Sequence, residues 1–571
     1  MTNARFGELL GEMAVLLELE GANPFRIRAY QRAGQAVSGH PAPLAGVLPE
    51  KLVDIPGIGK GIAGHIAEME VSGTFKELEE LRRKFPAGLL AMLKVQGLGP
   101  KRAKALFDTL KIDSLDKLKA AAEAGKLKGL PGFGEKTEAN ILEGIGFAAL
   151  AGSRMLHWAA REAAREVCEE LQKRTGLNDV LPAGSLRRGK ETVGDIDLLC
   201  ASKDGGSAVE AFTKLPQVER VLSAGPTKAS VLLSAGLQAD LRVVAPESWG
   251  AALVYFTGSK DHGVALREHA LKLGFSVNEY GVFRASDKDH KKPLAGRTEE
   301  EVYKKLGLSW IPPELRENRG ELEASAKNEL PKLVELADVR GDFHNHSTYS
   351  DGEASLEEMA LAARAKGWEW VGLGDHSQSV KIAQGLSVER LRASLKELAG
   401  IRKKVKGIEL MRSMEVDILK DGRMDYPDEV LSELDIVIGA VHSGFKMDEA
   451  VMTERICRAV RHPRVHIVAH LSGRLLSGRG GYKFDPEAVM QAAAAHGTAL
   501  EINGQPDRQD ITDVQARRAK DLGIPVALNT DAHNPAEFAF MEMAVIVARR
   551  GWLTKHDVLN CRSLDRLRDW L

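Results

Sequence analysis

Apolar residues recur at helical spacing through about the first 148 residues, where glycine-rich turns separate the apolar stretches. Runs of β-branched residues, which would indicate strands, are almost absent from this part. One pattern occurs three times, and each copy has an apolar residue, a GxG turn and an amphipathic helix. The copies are residues 53–66 (VDIPGIGKGIAGHI), 93–106 (LKVQGLGPKRAKAL) and 127–142 (LKGLPGFGEKTEANIL). The pattern predicts an all-helical N-terminal region with three helical hairpins.

The pattern changes between residues 180 and 245, where short apolar runs alternate with turn residues. These runs predict an antiparallel sheet with helices, and they are DIDLLCA (195–201), ERVLSA (219–224), SVLLSAG (230–236) and ADLRVVAP (239–246). A mixed segment follows and ends in WIPPELREN (310–318). The polar, helix-prone stretch 319–339 is interpreted as a linker.

Seven apolar runs alternate with helical patterns after residue 340, beginning with VRGDFHNHS (339–347) and ending with IPVALNTDAH (524–533). Strands that alternate with helices predict a parallel sheet, here closed as a (β/α)7 barrel. Active sites of such barrels lie at the C-terminal ends of the strands. The ionisable residues of this part occupy those positions.

Composition narrows the class of protein. The chain has 571 residues, 44% of them hydrophobic and 28% charged, which indicates several folded domains rather than disorder. The net charge is −1, so any basic surface has to be local. Four cysteines without a CxxC pair favour a reducing compartment, and no 18-residue uncharged apolar run or cleavable leader occurs. We therefore expect a cytoplasmic, nucleoid-associated location.

The GxG turns suit contact with phosphate, because glycine lets backbone N–H groups approach closely and a helix N-terminus follows. Lysine and arginine flank two of the turns. The residues expected to contact DNA are Gly57, Gly59, Lys60, Gly97, Gly99, Lys101, Arg102, Gly132 and Gly134. A single GxG turn can simply join two helices, but three copies favour binding to the DNA backbone. They resemble helix-hairpin-helix modules of DNA repair and replication proteins.

Two aspartates in the segment GSLRRGKETVGDIDLL (184–199) are two residues apart, so on a strand both side chains lie on the same face. Asp195 and Asp197 project together, and Asp240 lies on the polar face of its own strand. Three such carboxylates can hold two Mg²⁺ ions that align an attacking hydroxyl with a phosphate. Gly184, Ser185 and the Arg187–Arg188 pair supply groups for a triphosphate. The alternative is an acidic turn with a surface arginine pair.

At these residues the sequence resembles the nucleotidyltransferase fold and, more narrowly, family X DNA polymerases. The resemblance continues through YFTGSKDHGVALREHAL (255–271). It implies that Asp195, Asp197 and Asp240 bind the two catalytic Mg²⁺ or Mn²⁺ ions. It also implies that the residues contacting the nucleotide or template are Gly184, Ser185, Arg188, Gly194, Tyr255, Phe256, Gly258 and Arg267.

Two positions depart from the family pattern. Residue 263 is glycine where an amide side chain often reads the incoming base. Residue 65 is histidine where relatives with deoxyribose-phosphate lyase activity have a Schiff-base lysine. Since histidine does not form that imine efficiently, we expect weak or absent lyase activity by this route, with Lys60 as a poorly placed substitute.

Nine potential metal ligands follow the barrel strands. They are His344, His346, Asp351, His376, Glu415, His442, His470, Asp531 and His533. One zinc ion needs three or four protein ligands, so nine ligands indicate two or three metals with Glu415 free to bridge. A single barrel histidine is more often structural, but nine residues at successive strand ends are typical of a metal site. Without thiolates, the set suits Mn²⁺, Zn²⁺ or Fe²⁺.

This constellation resembles the polymerase-and-histidinol-phosphatase (PHP) domain. The resemblance implies hydrolysis of a phosphorus ester and three ligand groups. These are His344, His346, Glu415 and Asp531; Glu415, His442 and His470; and Asp351, His376 and His533. Arg474 and Glu501 lie near the same rim, where each is either a substrate contact or an ordinary charge.

Together these features predict a multidomain α+β and α/β protein, identified as a member of the bacterial and archaeal family X polymerases. The expected parts are an end-binding helical domain (1–85), helical fingers (86–148), a palm (149–245), a thumb (246–318), a linker (319–339) and a PHP domain (340–571). We expect a monomer that fills gapped or nicked DNA with deoxynucleoside triphosphates during base-excision or break repair. The barrel would be a 3′-5′ exonuclease, with abasic-endonuclease or 3′-phosphatase activity also open. A small-molecule phosphatase barrel and an inactive DNA-end scaffold are the alternatives.

Overall fold

The computed structural model describes residues 1, 3–38, 40, 44–55, 57–93, 98–127, 154–287, 292–476 and 480–571. The chain divides into two compact units. One comprises Met1–Met155, Thr213–Gly225 and Ala229–Asp240, and the other comprises Leu156–Phe212, Pro226–Lys228 and Leu241–Leu571. Among the described helices, none is both long enough and apolar enough to cross a bilayer.

The N-terminal region is helical throughout its described part, as predicted. Its helices are α1 (Asn3–Glu20), α2 (Pro24–Ser38), α3 (Pro49–Leu52), α4 (Lys60–Ser72), α5 (Lys76–Lys84), α6 (Ala87–Met92), α7 (Pro100–Leu110) and α8 (Leu115–Glu123). Helical spacing places Leu9, Leu10 and Met13 on one face of α1, and all three are fully buried. They belong to one apolar core that includes residues from α2, α4, α5 and α7.

Two of the predicted hairpins lie in this region. In the first, Gly57 has a φ of +96° and Gly59 is the N-terminal cap of α4. In the second, Gly99 caps α7, and Pro100 occupies the first helical position, where its missing N–H is tolerated. Gly97 and the third hairpin, with Gly132 and Gly134, lie outside the described residues.

A five-stranded sheet carries the predicted palm. The elements of this region are β1 (Met155–Leu156), α9 (His157–Thr175), β2 (Val180–Pro182), α10 (Gly184–Arg187), β3 (Thr192–Val193), β4 (Asp195–Ala201), α11 (Gly205–Thr213), β5 (Val218–Ala224), β6 (Lys228–Leu233) and β7 (Gln238–Val244). The strand order is β2-β4-β7-β6-β5, and the β2–β4 and β5–β6 pairs are antiparallel. Alternating burial along β7 matches its alternating sequence.

The next segment packs helices beside a hairpin. Its elements are α12 (Trp249–Thr257), α13 (Lys260–Lys272), β8 (Phe275–Asn278), β9 (Gly281–Arg284), α14 (Glu299–Lys305) and α15 (Glu321–Ala326). Helix α15 belongs to the stretch interpreted as a linker, yet Glu321 is fully buried and bonds His262 Nδ1 at 2.7 Å. Val334 is also buried, and its N–H donates to Leu553 O. This stretch is therefore packed against α13 and the barrel.

The C-terminal part is the predicted parallel barrel. Its strands are β10 (Gly341–Asp342), β11 (Trp370–Leu373), β12 (Glu409–Asp417), β13 (Ile436–Ala440), β14 (Ile467–Val468), β15 (Ala499–Asn503) and β16 (Val526–Asn529). They pair in chain order, and an isolated parallel bridge between Asn345 and Ala532 connects the first strand to the last. Strands β11, β13, β15 and β16 are buried on both faces, as a helix-covered parallel sheet requires.

Helices cover the outside of the barrel. They are α16 (Leu356–Ala365), α17 (Val388–Lys404), α18 (Asp428–Leu431), α19 (Glu449–Val460), α20 (Pro486–His496), α21 (Asp513–Asp521), α22 (Met541–Arg550) and α23 (Leu564–Arg568). Capping boxes begin two of them. Ser355 and Glu358 satisfy each other's backbone N–H groups at α16, and Thr512 and Gln515 do so at α21.

His157 at the start of α9 predicts an acid-sensitive step in stability. Its ring is buried and bonds Lys190 O at 3.0 Å, and burial lowers its pKa from 6.5 to about 4. The neutral ring therefore contributes stability that is complete above pH 6.5 and is lost as the pH falls toward 4.

We expect the free energy of unfolding to fall by about 2 kcal/mol more between pH 7 and pH 5 in the wild type than in His157→Asn. Chemical denaturation of the full chain at both pH values measures this difference. Equal pH dependence in the two proteins would contradict the buried neutral ring.

Candidate functional site

Three carboxylates meet on the palm sheet. Asp195 and Asp197 lie on β4 and Asp240 lies on β7, and the structure brings one oxygen of each within 4.8 Å of the others. Asp195 is exposed, while Asp197 and Asp240 are half-buried. Carboxylates this close repel one another unless a cation lies among them, so the set fits divalent metal binding. Gly194, directly before β4, is also exposed.

Gly184 makes room for this cluster. It has a φ of +58°, and a Cβ at this position would lie 2.1 Å from Asp197 Oδ2. Only glycine fits both the backbone conformation and the space. Gly184 opens the short helix α10, which carries Ser185, so a backbone turn lies directly against the acid cluster.

The two arginines after Ser185 have different environments. Arg187 makes a two-point ion pair with Glu299, at 2.8 and 2.9 Å, and also donates to Thr257 Oγ1. Burial raises the pKa of Glu299, but Arg316 and Arg187 outweigh it and lower that pKa to about 2. Arg187 is therefore committed to this ion pair. Arg188 donates to Thr257 O at 2.5 Å and to Glu317 Oε1 at 3.2 Å.

The YFTGS segment ends helix α12 close to Arg188. Tyr255 is exposed and meets Phe256 edge to face, with ring centroids 5.0 Å apart, and Arg242 lies over the Phe256 ring. The peptide bond between Gly258 and Ser259 is cis. Arg267 is half-buried on α13. A Cβ at Gly263 would meet no atom within 4 Å, so the missing amide side chain leaves open space there.

His65 lies in an aromatic stack. Its ring centroid is 4.5 Å from that of Phe75 and 5.9 Å from that of Tyr30, and its Nδ1 bonds the Tyr30 hydroxyl at 3.0 Å. The ring is thus held by packing and a hydrogen bond, which differs from the free amine that imine formation needs.

The second cluster lies at the barrel mouth. Glu415 lies within β12. The other eight predicted ligands lie just after the ends of strands β10, β11, β13, β14 and β16, or in the loops that follow these strands. Strand β10 ends at Asp342, so His344 and His346 lie on the extended segment after it. That segment is held by Asp531 N–H donating to His344 O and His346 N–H donating to Ala532 O.

Glu415 stands at the centre of the mouth, with its side chain 1% exposed. Its Oε1 lies 2.6 Å from His470 Nε2 and 3.1 Å from His442 Nε2. Its Oε2 lies 2.8, 3.4 and 3.7 Å from ring nitrogens of His376, His344 and His346. One carboxylate thus faces five imidazoles.

Among the residues that the structure describes, three sets in this mouth could each hold a metal ion, and the sets share members. They are His346, Asp351, His376 and His533; His344, His346 and Asp531; and His376, Glu415 and His442. His346 and His376 thereby connect sets that the sequence interpretation kept apart. His470 reaches the cluster through Glu415.

Buried ligand atoms left without hydrogen bonds test whether metals fit. Within the described residues, those at this site are His344 Nε2, His346 Nδ1, His376 Nδ1, Glu415 Oε2, His442 Nε2 and His470 Nδ1. His344 Nε2 lies 3.4 Å from Glu415 Oε2 and 3.5 Å from Asp531 Oδ1. Two ligands on one ion with bonds of about 2.1 Å at tetrahedral angles lie about 3.4 Å apart, so this spacing fits shared coordination.

Burial and neighbouring charges shift the pKa values of two of these imidazole rings in opposite directions. Burial lowers the pKa of His376, but Glu415 and Asp351 outweigh it and raise that pKa to about 10. Burial and the neighbouring His376 lower the pKa of His346 to about 4. Perturbed groups concentrated in a cleft are characteristic of functional sites.

Two acidic residues next to the predicted ligands differ from the sequence prediction. Glu501 was expected at the rim, and Asp417 was not predicted. Glu501 is fully buried and accepts from His344 Nδ1 at 2.7 Å and from His470 N at 2.8 Å. Asp417 accepts from His442 Nδ1 at 3.2 Å. Such contacts orient a metal-binding ring and set its tautomer. Asp417 lies two residues after Glu415 on β12. Since residues two apart on a strand share a face, this spacing could have identified Asp417 from the sequence.

Arginines also border the mouth. Arg474 pairs with Glu191 at 2.5 Å and donates to Arg508 O, so its guanidinium joins the barrel rim to the palm. Arg508 Nε lies 3.4 Å from Asp531 Oδ2, and Asp531 raises the pKa of Arg508 against the effect of burial. Arg508 was not predicted, because no motif marks it.

Two site residues have unusual backbone conformations. His470 has a φ of +29° and Asp531 a φ of +51°, in the region that L-residues rarely adopt. Such conformations cost about 1 kcal/mol or more each and persist where surrounding contacts fix them. Here both residues are buried at the mouth.

Four stretches of the chain match models of known protein families. Residues 1–75 match the helix-hairpin-helix domain family, and residues 89–146 match the SAM-like helix-hairpin-helix tandem. Residues 252–317 match the DNA polymerase beta thumb, and residues 342–498 match the PHP domain. The predicted fold class is thereby confirmed.

Similar proteins match this chain either along nearly its whole length or over part of it. The DNA polymerase/3′-5′ exonuclease PolX of Bacillus subtilis is 38% identical over 558 residues, 97% of each chain. A protein of Thermoanaerobacter named probable phosphatase is 28% identical over 242 residues, which cover 40% of this chain and 93% of that protein. Because the first relative matches along nearly the whole length, this chain belongs to the PolX family of divalent-metal-dependent DNA polymerases with 3′-5′ exonuclease activity.

Proposed function

We propose that this protein adds deoxynucleotides to a DNA 3′-hydroxyl at the cluster of Asp195, Asp197 and Asp240. The observation that carries the proposal is the approach of these three carboxylates to within 4.8 Å beside the Gly184 turn. Two Mg²⁺ or Mn²⁺ ions held there would align the hydroxyl with the α-phosphate and neutralise the developing charge. By the family resemblance, Asp240 would accept the hydroxyl proton.

The neighbouring residues would hold the nucleotide. Ser185 and Arg188 would supply a hydroxyl and a guanidinium for the triphosphate, and the exposed Gly194 directly precedes Asp195. The aromatic rings of Tyr255 and Phe256 would lie beneath the sugar and base, and Arg267 on the next helix would contact the template. The turn at Gly258 joins these two helices.

Gapped or nicked DNA in base-excision or break repair is the substrate that the N-terminal hairpins favour. Gly59 and Gly99 are exposed, and a Cβ on either would meet nothing within 4 Å. Packing therefore does not require glycine there, whereas close approach of a phosphate does. Lys60 and Lys101 are exposed beside these turns, and Arg102 follows on α7.

The barrel mouth would remove nucleotides from 3′ ends. Its nitrogen and oxygen donors suit two or three Mn²⁺, Zn²⁺ or Fe²⁺ ions, which would supply an activated water and charge stabilisation for phosphodiester hydrolysis. Glu415 would bridge, and the remaining ligands would be His344, His346, Asp351, His376, His442, His470, Asp531 and His533. Arg508, whose Nε lies 3.4 Å from Asp531 Oδ2, would contact a phosphate oxygen there.

A small-molecule phosphatase is a second candidate for the barrel alone. The relatives named probable phosphatases favour it, because 90–93% of their own length is matched by a stretch that covers only 40% of this chain. The polymerase and hairpin parts of the same chain favour DNA instead. Abasic-endonuclease and 3′-phosphatase activities would use the same mouth on other DNA ends.

Replacing both β4 aspartates tests the polymerase assignment. We expect Asp195→Asn combined with Asp197→Asn to reduce primer extension on gapped DNA about a thousandfold or more, because the metal-binding charge is lost. The 3′-end degradation of the same protein should persist. Glu219→Gln on exposed β5 is the matched control, and unchanged extension in the double variant would contradict the assignment.

Removing one imidazole tests the exonuclease assignment. His344→Ala should abolish Mn²⁺-dependent shortening of a labelled 3′ end and leave primer extension intact, since His344 faces both Glu415 and Asp531. His496→Ala, at an exposed histidine, serves as control. Retained shortening, or hydrolysis of a small phosphate ester with no activity on DNA, would argue against a DNA-processing barrel.

Glu501 tests how the imidazoles are oriented. Glu501→Gln keeps the shape of the side chain but removes the charge that fixes His344, so we expect Mn²⁺ or Zn²⁺ affinity at the barrel to fall about tenfold to a hundredfold. Calorimetric titration of the full chain measures this, with Glu433→Gln on the surface as control. An unchanged affinity would show that Glu501 does not support the site.

A further inference from the structure

A barrel arginine reaches the nucleotide-binding motif of the palm. Arg550 is the last residue of α22, and its side chain is 3% exposed. Its Nη1 donates to the backbone oxygen of Arg188 at 2.6 Å and to Glu317 Oε1 at 3.0 Å. Its Nη2 donates to Asp513 Oδ2 at 2.7 Å. One guanidinium thus connects the palm, the segment after the thumb helices and the barrel.

Glu317 bridges Arg550 and the side chain of Arg188. Its Oε1 accepts from Arg550 Nη1 and from Arg188 Nε, the latter at 3.2 Å. Burial raises the pKa of Glu317, but Arg550, Lys190 and Arg188 outweigh it and lower that pKa to about 2. The carboxylate is therefore ionised at neutral pH and holds both guanidiniums. Arg550 thus holds the Arg188 backbone directly and its guanidinium through Glu317.

Packing at Gly189 presses the same loop onto the same helix. Gly189 has a φ of +69°, and a Cβ at this position would lie 2.3 Å from Ile546 Cγ2 and 3.5 Å from Arg550 Cδ. The backbone that follows Arg188 consequently lies directly against α22. Arg319 also pairs with Asp513, which closes the ion network around Arg550.

We propose that Arg550 is a positioning residue for the polymerase reaction. It sets the direction of Arg188, whose other contact is Thr257 O, and so holds the guanidinium ready for the triphosphate. The proposal rests on the assignment of Arg188 to nucleotide binding. It makes the barrel a structural part of the polymerase site, independent of the hydrolysis at the barrel mouth.

The neighbouring residue Arg549 provides a control. It distinguishes a role in positioning Arg188 from a role in merely attaching the barrel to the preceding segment. It lies on the same helix, pairs with Glu314 at 2.7 Å and donates to Val334 O at 3.1 Å. It therefore joins the barrel to the preceding segment with the same charge but has no contact with Arg188. A role in attachment alone predicts similar effects for both arginines.

The experiment compares Arg550→Met with Arg549→Met in the full chain. Steady-state primer extension on gapped DNA gives KM for the deoxynucleotide and kcat. We expect Arg550→Met to raise KM about tenfold or more with a smaller change in kcat, because misaligned Arg188 weakens nucleotide binding. Arg549→Met should keep KM within about twofold, and 3′-end degradation should be unchanged in both. Arg550→Lys, which keeps one donor arm, should recover part of the loss.

Glu317→Gln provides a second route if Arg550→Met does not fold. It removes only the charge between the two guanidiniums and should raise KM in the same direction. An unchanged KM in Arg550→Met or Glu317→Gln, or an equal rise in Arg549→Met, would overturn the proposal. Failure of the underlying assignment looks different, since Arg188→Ala would then leave the KM for the deoxynucleotide unchanged. A raised KM in Arg188→Ala with an unchanged KM in Arg550→Met would contradict the positioning role alone.

Discussion

The buried carboxylate of Glu415 is the constraint around which the catalytic barrel is organised. A charge that is 1% exposed is costly unless opposite charges or metals surround it, and five imidazoles face this one. They come from strands far apart in sequence, so the parallel barrel is what brings them together. Glu501 and Asp417 then fix individual rings, and the unusual backbone at His470 and Asp531 is held by the same contacts.

Buried ion pairs also organise the polymerase half. Arg187, the last residue of α10, pairs with Glu299, which also pairs with Arg316. The next residue, Arg188, pairs with Glu317, which also pairs with Arg550. Breaking such a pair leaves an unpaired buried charge, which is costlier than the pair's net contribution suggests. The stretch 319–339 takes part through Glu321 and Arg319 rather than acting as a free tether. The polymerase motif and the barrel are thereby built into one packed assembly.

The sequence was most informative where short spacing encodes geometry. Two aspartates two residues apart on a strand, glycine beside them, and histidines after successive strands were enough to predict both clusters and the barrel. Helical periodicity likewise predicted the N-terminal region. These signals are local, and the fold brings them together through rules that hold for whole classes of protein.

Contacts between distant residues could not be predicted in this way. Arg550 and Arg188 are far apart in the chain, and neither position shows a periodic pattern that points to the other. Glu501 resembled a rim charge because nothing in TALEING indicates that its side chain bonds His344. The composition of 319–339 is polar, yet Glu321 is buried by a hydrogen bond to His262 that depends on tertiary structure.

Anomalous diffraction from crystals of the full chain soaked with Mn²⁺ and gapped DNA tests the account most directly. We expect separate manganese peaks at two places, among Asp195, Asp197 and Asp240 and around Glu415 at the barrel mouth. Peaks at only one of these clusters, or manganese bound away from both, would contradict the claim that one chain carries two metal-dependent sites.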